Sequence, residues 1–207
     1  MRVIDGPVGT AIDKKLQEKG FIVLGWMELG MRHITNSKQP IRTMADLKGM
    51  KIRLQPNETH LATFRALGAN PVAMDVKELY SALEQKVIDG QENPYTVINA
   101  NRFSEVQKQL SYSGHFFDFI VVLASKKAFD QLKPEFQIAV REAMTKTVSH
   151  QRKLAEQDEK DALAKLKTSM TYTEITPAAF EEMRLATLPV IEGVKKRAGD
   201  ALVNKVL

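Results

Sequence analysis

Cysteine is absent from the 207 residues, which excludes disulfides, thiol nucleophiles and thiolate metal sites and suits cytoplasm and periplasm equally. Long apolar runs are missing too: none approaches the about 20 residues that cross a bilayer. Met1 is followed by Arg2-Val3-Ile4-Asp5-Gly6-Pro7, which lacks the apolar centre of a signal peptide, so the chain as written reads as carrying no export signal. The histidines His33, His60, His115 and His150 stand apart from one another and from any acidic pair at ligand spacing, so no metal site is expected. There is no Gly-rich phosphate loop and no nucleophile elbow; Gly6-Pro7-Val8-Gly9 is too short for either and shapes a helix start. No cofactor is expected. Nor is there a strong charge of one sign: 30 Lys and Arg against 25 Asp and Glu leave a net charge of +5, with the bases scattered among acids. The densest run, Lys195-Lys196-Arg197, is placed to complement a helix C-terminus rather than to bind nucleic acid.

What is present is an ordinary globular composition, 43% hydrophobic and 27% charged, enough for one large domain or two small ones. Val8, Ala11, Ile12 and Leu16 fall at helical spacing up to Gly20. Phe21-Ile22-Val23-Leu24-Gly25-Trp26 then reads as a strand covered on both faces. Residues 28–42 are rich in turn formers, with a short strand expected at Met31 to Thr35. Thr43-Met44-Ala45-Asp46 has the form of a capping box and Gly49 closes that helix. In Met50-Lys51-Ile52-Arg53-Leu54 the apolar residues share one face and Lys51 and Arg53 the other. A helix from Glu58 to Leu67, a short strand at 70–74 and an Asp75-capped helix carrying Val76, Leu79, Tyr80, Leu83 and Val87 follow.

Gly90-Gln91-Glu92-Asn93-Pro94 reads as a short strand ending in a break. After a helix near Thr96 to Arg102, Phe119 to Ala124 forms a second wholly apolar strand; two sheets visited in alternation are expected. From Pro134 a helical pattern runs without Gly or Pro to about Ser169, some 50 Å at 1.5 Å per residue. An edge strand at 170–175 and a last amphipathic helix opening at Thr176-Pro177 complete the chain. Ligands of open α/β sheets lie beyond the carboxyl ends of the strands. Arg53, Arg32 and Asn93, each near a strand end or break, are therefore the candidate site: two cations and an amide suited to a carboxylate and a neighbouring hydroxyl or carbonyl.

The order Thr35-Asn36-Ser37-Lys38, Pro40-Ile41-Arg42, Asp46-Leu47-Lys48-Gly49-Met50-Lys51-Ile52-Arg53, Leu67-Gly68-Ala69-Asn70-Pro71, Glu78 to Gln85, Val87 to Pro94 and Phe103 to Lys108 resembles the DctP-type solute receptors of TRAP transporters, over essentially the whole chain. The resemblance implies an α/β, two-lobed fold like that of periplasmic binding proteins, with a long lobe-spanning helix and, in this chain, an incomplete first lobe. It implies a periplasmic protein that closes on an organic acid, dicarboxylates among them, and delivers it to the membrane permease subunits. Arg53 matches the residue that forms the main salt bridge with the substrate carboxylate, Asn93 the amide that helps to hold it, and Arg32 a second arginine near the ligand. The implied division is 1–30 as a remnant of lobe 1, 31–116 as lobe 2, 117–133 as the return strand of lobe 1, 134–169 as the long helix, and 170–207 as a C-terminal strand and helices packing on the lobes. Family members have roughly a hundred further residues upstream, a signal peptide included, so an N-terminal truncation is expected. They often carry an aromatic in a Met-Ala-Phe run where this chain has Met74-Asp75-Val76, which leaves substrate identity open.

The reading is thus a non-catalytic receptor. Its rivals are a ligand-sensing domain of similar build, an enzyme on a similar fold that depends on His115 or Asp118, and a non-functional fragment of a receptor. The two apolar strands, short of neighbours, are expected to expose surface and favour self-association.

Overall fold

A computed structural model describes residues 3–206. The strands are β1 (Phe21–Asn36), β2 (Lys51–Leu54), β3 (Asn70–Ala73), β4 (Gly90–Asn93), β5 (Gln109–Ser125) and β6 (Thr171–Glu174). The helices are α1 (Pro7–Glu18), α2 (Glu58–Ala66), α3 (Val76–Glu84), α4 (Tyr95–Ala100), α5 (Lys126–Asp130), α6 (Pro134–Ser169), α7 (Pro177–Ala198) and α8 (Asp200–Val203).

Two expectations are corrected here. Separate strands at 21–26 and 31–35 are one strand, β1, because Gly30 sits at φ 122° and takes up a bend that a residue with a Cβ resists. Likewise the strand expected at 119–124 is part of the longer β5, which begins at Gln109. The six strands accordingly form one hydrogen-bonded sheet, in the order β3-β2-β4-β1-β5-β6, instead of two. The parallel β2–β3 and β2–β4 pairs meet an antiparallel β4–β1 pair, and β5 runs parallel to the edge strand β6.

Local signals act largely as their chemistry requires. The Asp46 carboxylate accepts from the backbone N–H of Arg42 and Thr43 and from the Thr43 hydroxyl, at 2.9–3.0 Å, closing the box at the short 3-10 turn Met44–Leu47. Asn57 and Asp75 cap α2 and α3 with their side chains. The α3 stripe stops earlier than its spacing suggests: Lys86 adopts φ 58° and Val87 lies outside the helix, exposed.

The chain divides into two compact units. Unit 1 comprises the residues up to Leu29, Asp118–Gln157 and those from Ala198 onward; unit 2 comprises Gly30–Phe117 and Asp158–Arg197. The division falls inside β1, β5 and α6 and before the last residue of α7. Unit 2 holds both well-packed clusters. In one, Ile34, Ile52 and Leu54 pack with Phe64 of α2 and Met183 of α7. In the other, Leu79 and Leu83 of α3 pack with Ile98 of α4, Leu110 of β5 and Leu166 of α6.

In unit 1 the backbone of β1 is held by side chains of α6. The Gln151 amide bonds both N and O of Glu28, and Arg152 donates to the Trp26 carbonyl while pairing with both oxygens of Asp5. Few apolar residues of this unit are buried, among them Ile4, Val8, Ile22 and Phe129, whereas Phe21, Ile120, Leu123, Phe136 and Ile138 are 39–58% exposed. Such surface associates readily. Light scattering is expected to report a mass at least twice that of the monomer at high concentration, falling when Ile120 and Leu123 are changed to lysine; a monomer throughout would sink this prediction.

Candidate functional site

The centre of unit 2 is a strand with no apolar residue. Gly90, Gln91, Glu92 and Asn93 of β4 are all buried, with β2 on one side and β1 on the other. Gly90 is needed for the close approach: a Cβ there meets the Thr35 carbonyl and Asn36 of β1. Buried polar groups must find partners, and on β4 they form two chains.

Across the β1–β4 ladder Thr35 is registered with Gln91 and His33 with Asn93, while Ile34 is registered with Glu92; paired residues share a face. On the first face Asn93 Nδ2 donates to Gln91 Oε1 (2.6 Å), Gln91 Nε2 to Thr35 Oγ1 (2.9 Å), and Thr35 Oγ1 to Gln107 Oε1 (3.1 Å). On the other, Glu92 accepts from Arg32, Nε to Oε2 at 2.6 Å and Nη2 to Oε1 at 2.8 Å. His115 Nε2 lies 3.0 Å from Glu92 Oε2, and His115 Nδ1 lies 2.7 Å from Ser113 Oγ. Arg32 Nη2 also reaches Asn93 Oδ1 at 2.9 Å, which joins the two chains at the end of the strand.

Arg53 is placed differently. It lies one residue before the end of β2, registered with Gln91 of the parallel β4, and is 3% exposed. Nε and Nη2 both donate to one acceptor, the Met74 carbonyl, at 2.9 and 2.7 Å. Among the described residues no carboxylate contacts it. Burial, the largest influence, draws its pKa below the usual value; the charge of Arg32 acts the same way, while Glu92 and Asp75 oppose it. Burial pushes the Glu92 carboxyl upward, yet the hydrogen bonds and charges of His115 and Arg32 outweigh it and hold Glu92 below the ordinary carboxylate range. His33 is stacked between Tyr95 and Tyr112, at 4.1 and 4.8 Å. Burial and then the charge of His115 push its pKa down to about 3, and its Nδ1 accepts from the Gly114 N–H at 3.3 Å. The imidazole is neutral.

The structure therefore brings Arg32 and Asn93 into contact and sets Arg53 on the far side of β4 from Arg32. Arg32 arrives with its charge already matched by a buried carboxylate. A separate cavity of about 130 Å³, lined by Ile34, Leu67, Ser113, His115, Phe180 and Met183 among others, does not include Arg53, Arg32 or Asn93. Sequence reasoning did not single out Glu92, Gln91, His33 or the Met74 carbonyl. The available signal was β4 itself: a polar strand in the middle of a sheet is held only by a satisfied network. Among the described residues no group of three or more His, Asp or Glu could hold a metal ion, and no helix is long and apolar enough to cross a membrane.

The long strands β1 and β5 and the long helix α6 each contribute to both units, and the buried polar side chains gather around β4 in unit 2. The chain belongs to the bacterial extracellular solute-binding protein family 7, DctP, whose model matches residues 1–197. It is 38% identical over 183 residues to the 2,3-diketo-L-gulonate-binding periplasmic protein YiaO of Escherichia coli (strain K12), covering 87% of this chain and 56% of that one. It is 30% identical over 210 residues to the C4-dicarboxylate-binding periplasmic protein DctP of Rhodobacter capsulatus, covering 99% and 62%. The structure of the sugar acid binding protein DctPAm from Advenella mimigardefordensis in complex with galactonate superimposes with a TM-score of 0.91 at 38% identity, covering 98% of this chain and 67% of that one. The chain thus spans about three fifths of the length of these curated relatives. Family members are periplasmic binding proteins.

Proposed function

We propose that the protein is the substrate-binding subunit of a TRAP transporter, which captures an organic acid in the periplasm and passes it to the membrane permease, and that it is not an enzyme. The observation that carries this reading is Arg53: a buried guanidinium with no carboxylate partner among the described residues. A charge removed from water costs several kcal/mol unless an opposite charge meets it, and a planar fork favours a carboxylate. In this reading the ligand carboxylate sits on Arg53. Asn93 has one amide N–H on Gln91 and its oxygen on Arg32, which leaves its second N–H for a ligand oxygen. Arg32 fixes the orientation of Asn93. The relatives named for diketogulonate and C4-dicarboxylates, and the galactonate complex, support an acid as the ligand.

An enzymatic reading has one observation in its favour, the Ser113–His115–Glu92 chain. Its carboxylate, however, is held by both Nε and Nη2 of Arg32, and Ser113 is 3% exposed, which suits a structural relay better than a nucleophile.

Thermal melts with short dicarboxylates, sugar acids, 2-oxo acids and aromatic acids test the proposal. A ligand at 100 times its Kd adds about 2.7 kcal/mol, or roughly 5–10 °C for a chain of this size. One class of acid is expected to raise the Tm by that much. A cooperative melt that no acid moves overturns the reading.

A further inference from the structure

We infer that the cavity beneath α7 is a second binding site in unit 2, separate from the cluster around Arg53 and Asn93, and that it takes a small neutral molecule with one aromatic ring.

The sheet supplies Ile34 and Gly114 to its walls, α2 supplies Thr63 and Leu67, and α7 supplies Phe180 and Met183. Ile34 lies on the opposite face of β1 from His33 and Thr35, which are registered with Asn93 and Gln91. The cavity is thus on the other side of the sheet from the Asn93 amide. Two features of the sequence keep it open. Gly114 sits at φ 53°, a conformation that side chains resist, so the β5 wall stays bare. Of its 22 residues α7 buries Ala179 and Met183, which join the core cluster without filling the space beside them.

Size and chemistry then limit the guest. The volume is about 130 Å³; a cavity of about 150 Å³ holds benzene, so one ring fits and a fused pair does not. The polar groups on the wall already have partners. Thr63 Oγ1 donates to the Thr59 carbonyl (2.8 Å), Thr187 Oγ1 donates to the Arg184 carbonyl (2.9 Å), Ser113 Oγ lies 2.7 Å from His115 Nδ1, and Arg184 donates to both oxygens of Glu181. A charged guest would give up its hydration without a matching charge, whereas a neutral apolar one gives up little. The Phe180 and His115 rings and the Met183 thioether favour an aromatic ring over an alkyl chain of equal size. Phe180 also lines the open groove of Met31, Tyr112 and Pro177 beside the cavity, and at 46% exposed it stands at the entrance.

Saturation-transfer NMR titration with toluene, and with benzylammonium as its charged counterpart, tests the inference. Toluene is expected to bind saturably with a Kd of about 1 mM or tighter, and benzylammonium at least tenfold more weakly. Thr187→Leu fills the cavity from α7 and Thr63→Ile from α2; each is expected to weaken toluene at least tenfold while leaving the response to organic acids unchanged. If one of the two melts without cooperativity, the other decides. Arg53→Met is expected to leave the toluene Kd within threefold of the wild type, which separates this site from the acid site: toluene lost in Arg53→Met places the ring in the acid site and overturns the inference. So does the lack of saturable toluene binding, equal binding of benzylammonium, or a toluene Kd that neither filling variant moves. Failure of every acid to raise the Tm overturns the Arg53 reading and leaves this one standing.

Discussion

Arg53→Met is expected to lose about 2–5 kcal/mol of carboxylate binding, roughly 30-fold to several-thousand-fold in Kd, while melting no lower than the wild type. Usually a buried arginine supports the fold, and its removal is felt in stability. Here the guanidinium makes hydrogen bonds to a single carbonyl, that of Met74, and its burial works against its charge. Methionine keeps most of the apolar stem and relieves the unmatched charge, so the folded state loses two hydrogen bonds and gains back the desolvation cost. Binding loses the charge that the ligand carboxylate meets. Arg53→Lys separates charge from shape: it keeps the cation without the planar fork and is expected to fall between the two. Calorimetry for affinity and a thermal melt for stability read the two effects independently. Affinity within threefold of the wild type would remove Arg53 from the site, and a Tm lowered by many degrees would show that its main work is structural.

That separation was only half visible in the sequence. Alternation placed Arg53 opposite Ile52 and Leu54, and those two are indeed in a core cluster while Arg53 is not. The Asp75 cap and the uninterrupted helix from Pro134 to Ser169 are short-range effects, written in adjacent residues, and they were legible. The single sheet was not, because a glycine such as Gly30 signals a stop and a bend equally well from sequence, and only pairing with distant strands decides. The same limit hid Glu92. A carboxylate two residues from a glycine reads as surface; its burial follows from β4 lying between β1 and β2, and its partners Arg32 and His115 come from 60 residues before it and 23 after. The resemblance pointed to Arg32 as positive potential near a ligand, and nothing local could reveal the carboxylate that meets it.

The pairing of Arg32 with Glu92 makes Arg32→Met the largest expected change in stability, and its pH dependence identifies the cause. With Arg32 gone, a fully buried carboxylate keeps His115 but loses the guanidinium that meets both its oxygens; breaking a buried pair in this way costs about 3–5 kcal/mol at neutral pH, or roughly 6–20 °C of Tm. In the wild type the Glu92 carboxyl is held below its ordinary value despite burial. Its contribution is therefore present above the unfolded-state pKa and fades as pH falls through the lower, folded value. In Arg32→Met burial has lost an opponent and moves the same carboxyl upward, so the variant's penalty is relieved where the group can be protonated and returns as pH rises through the raised value. The stability gap between wild type and variant should accordingly narrow between about pH 7 and pH 4, the region of the unperturbed glutamate near 4.3. Arg32→Met/Glu92→Leu, which puts apolar side chains at both positions, should recover most of the loss and show no such narrowing. Chemical denaturation of the three proteins across this range measures the gap directly. A gap that stays constant with pH would mean that the lost stability comes from packing of the Arg32 side chain, and not from the charge it cancels.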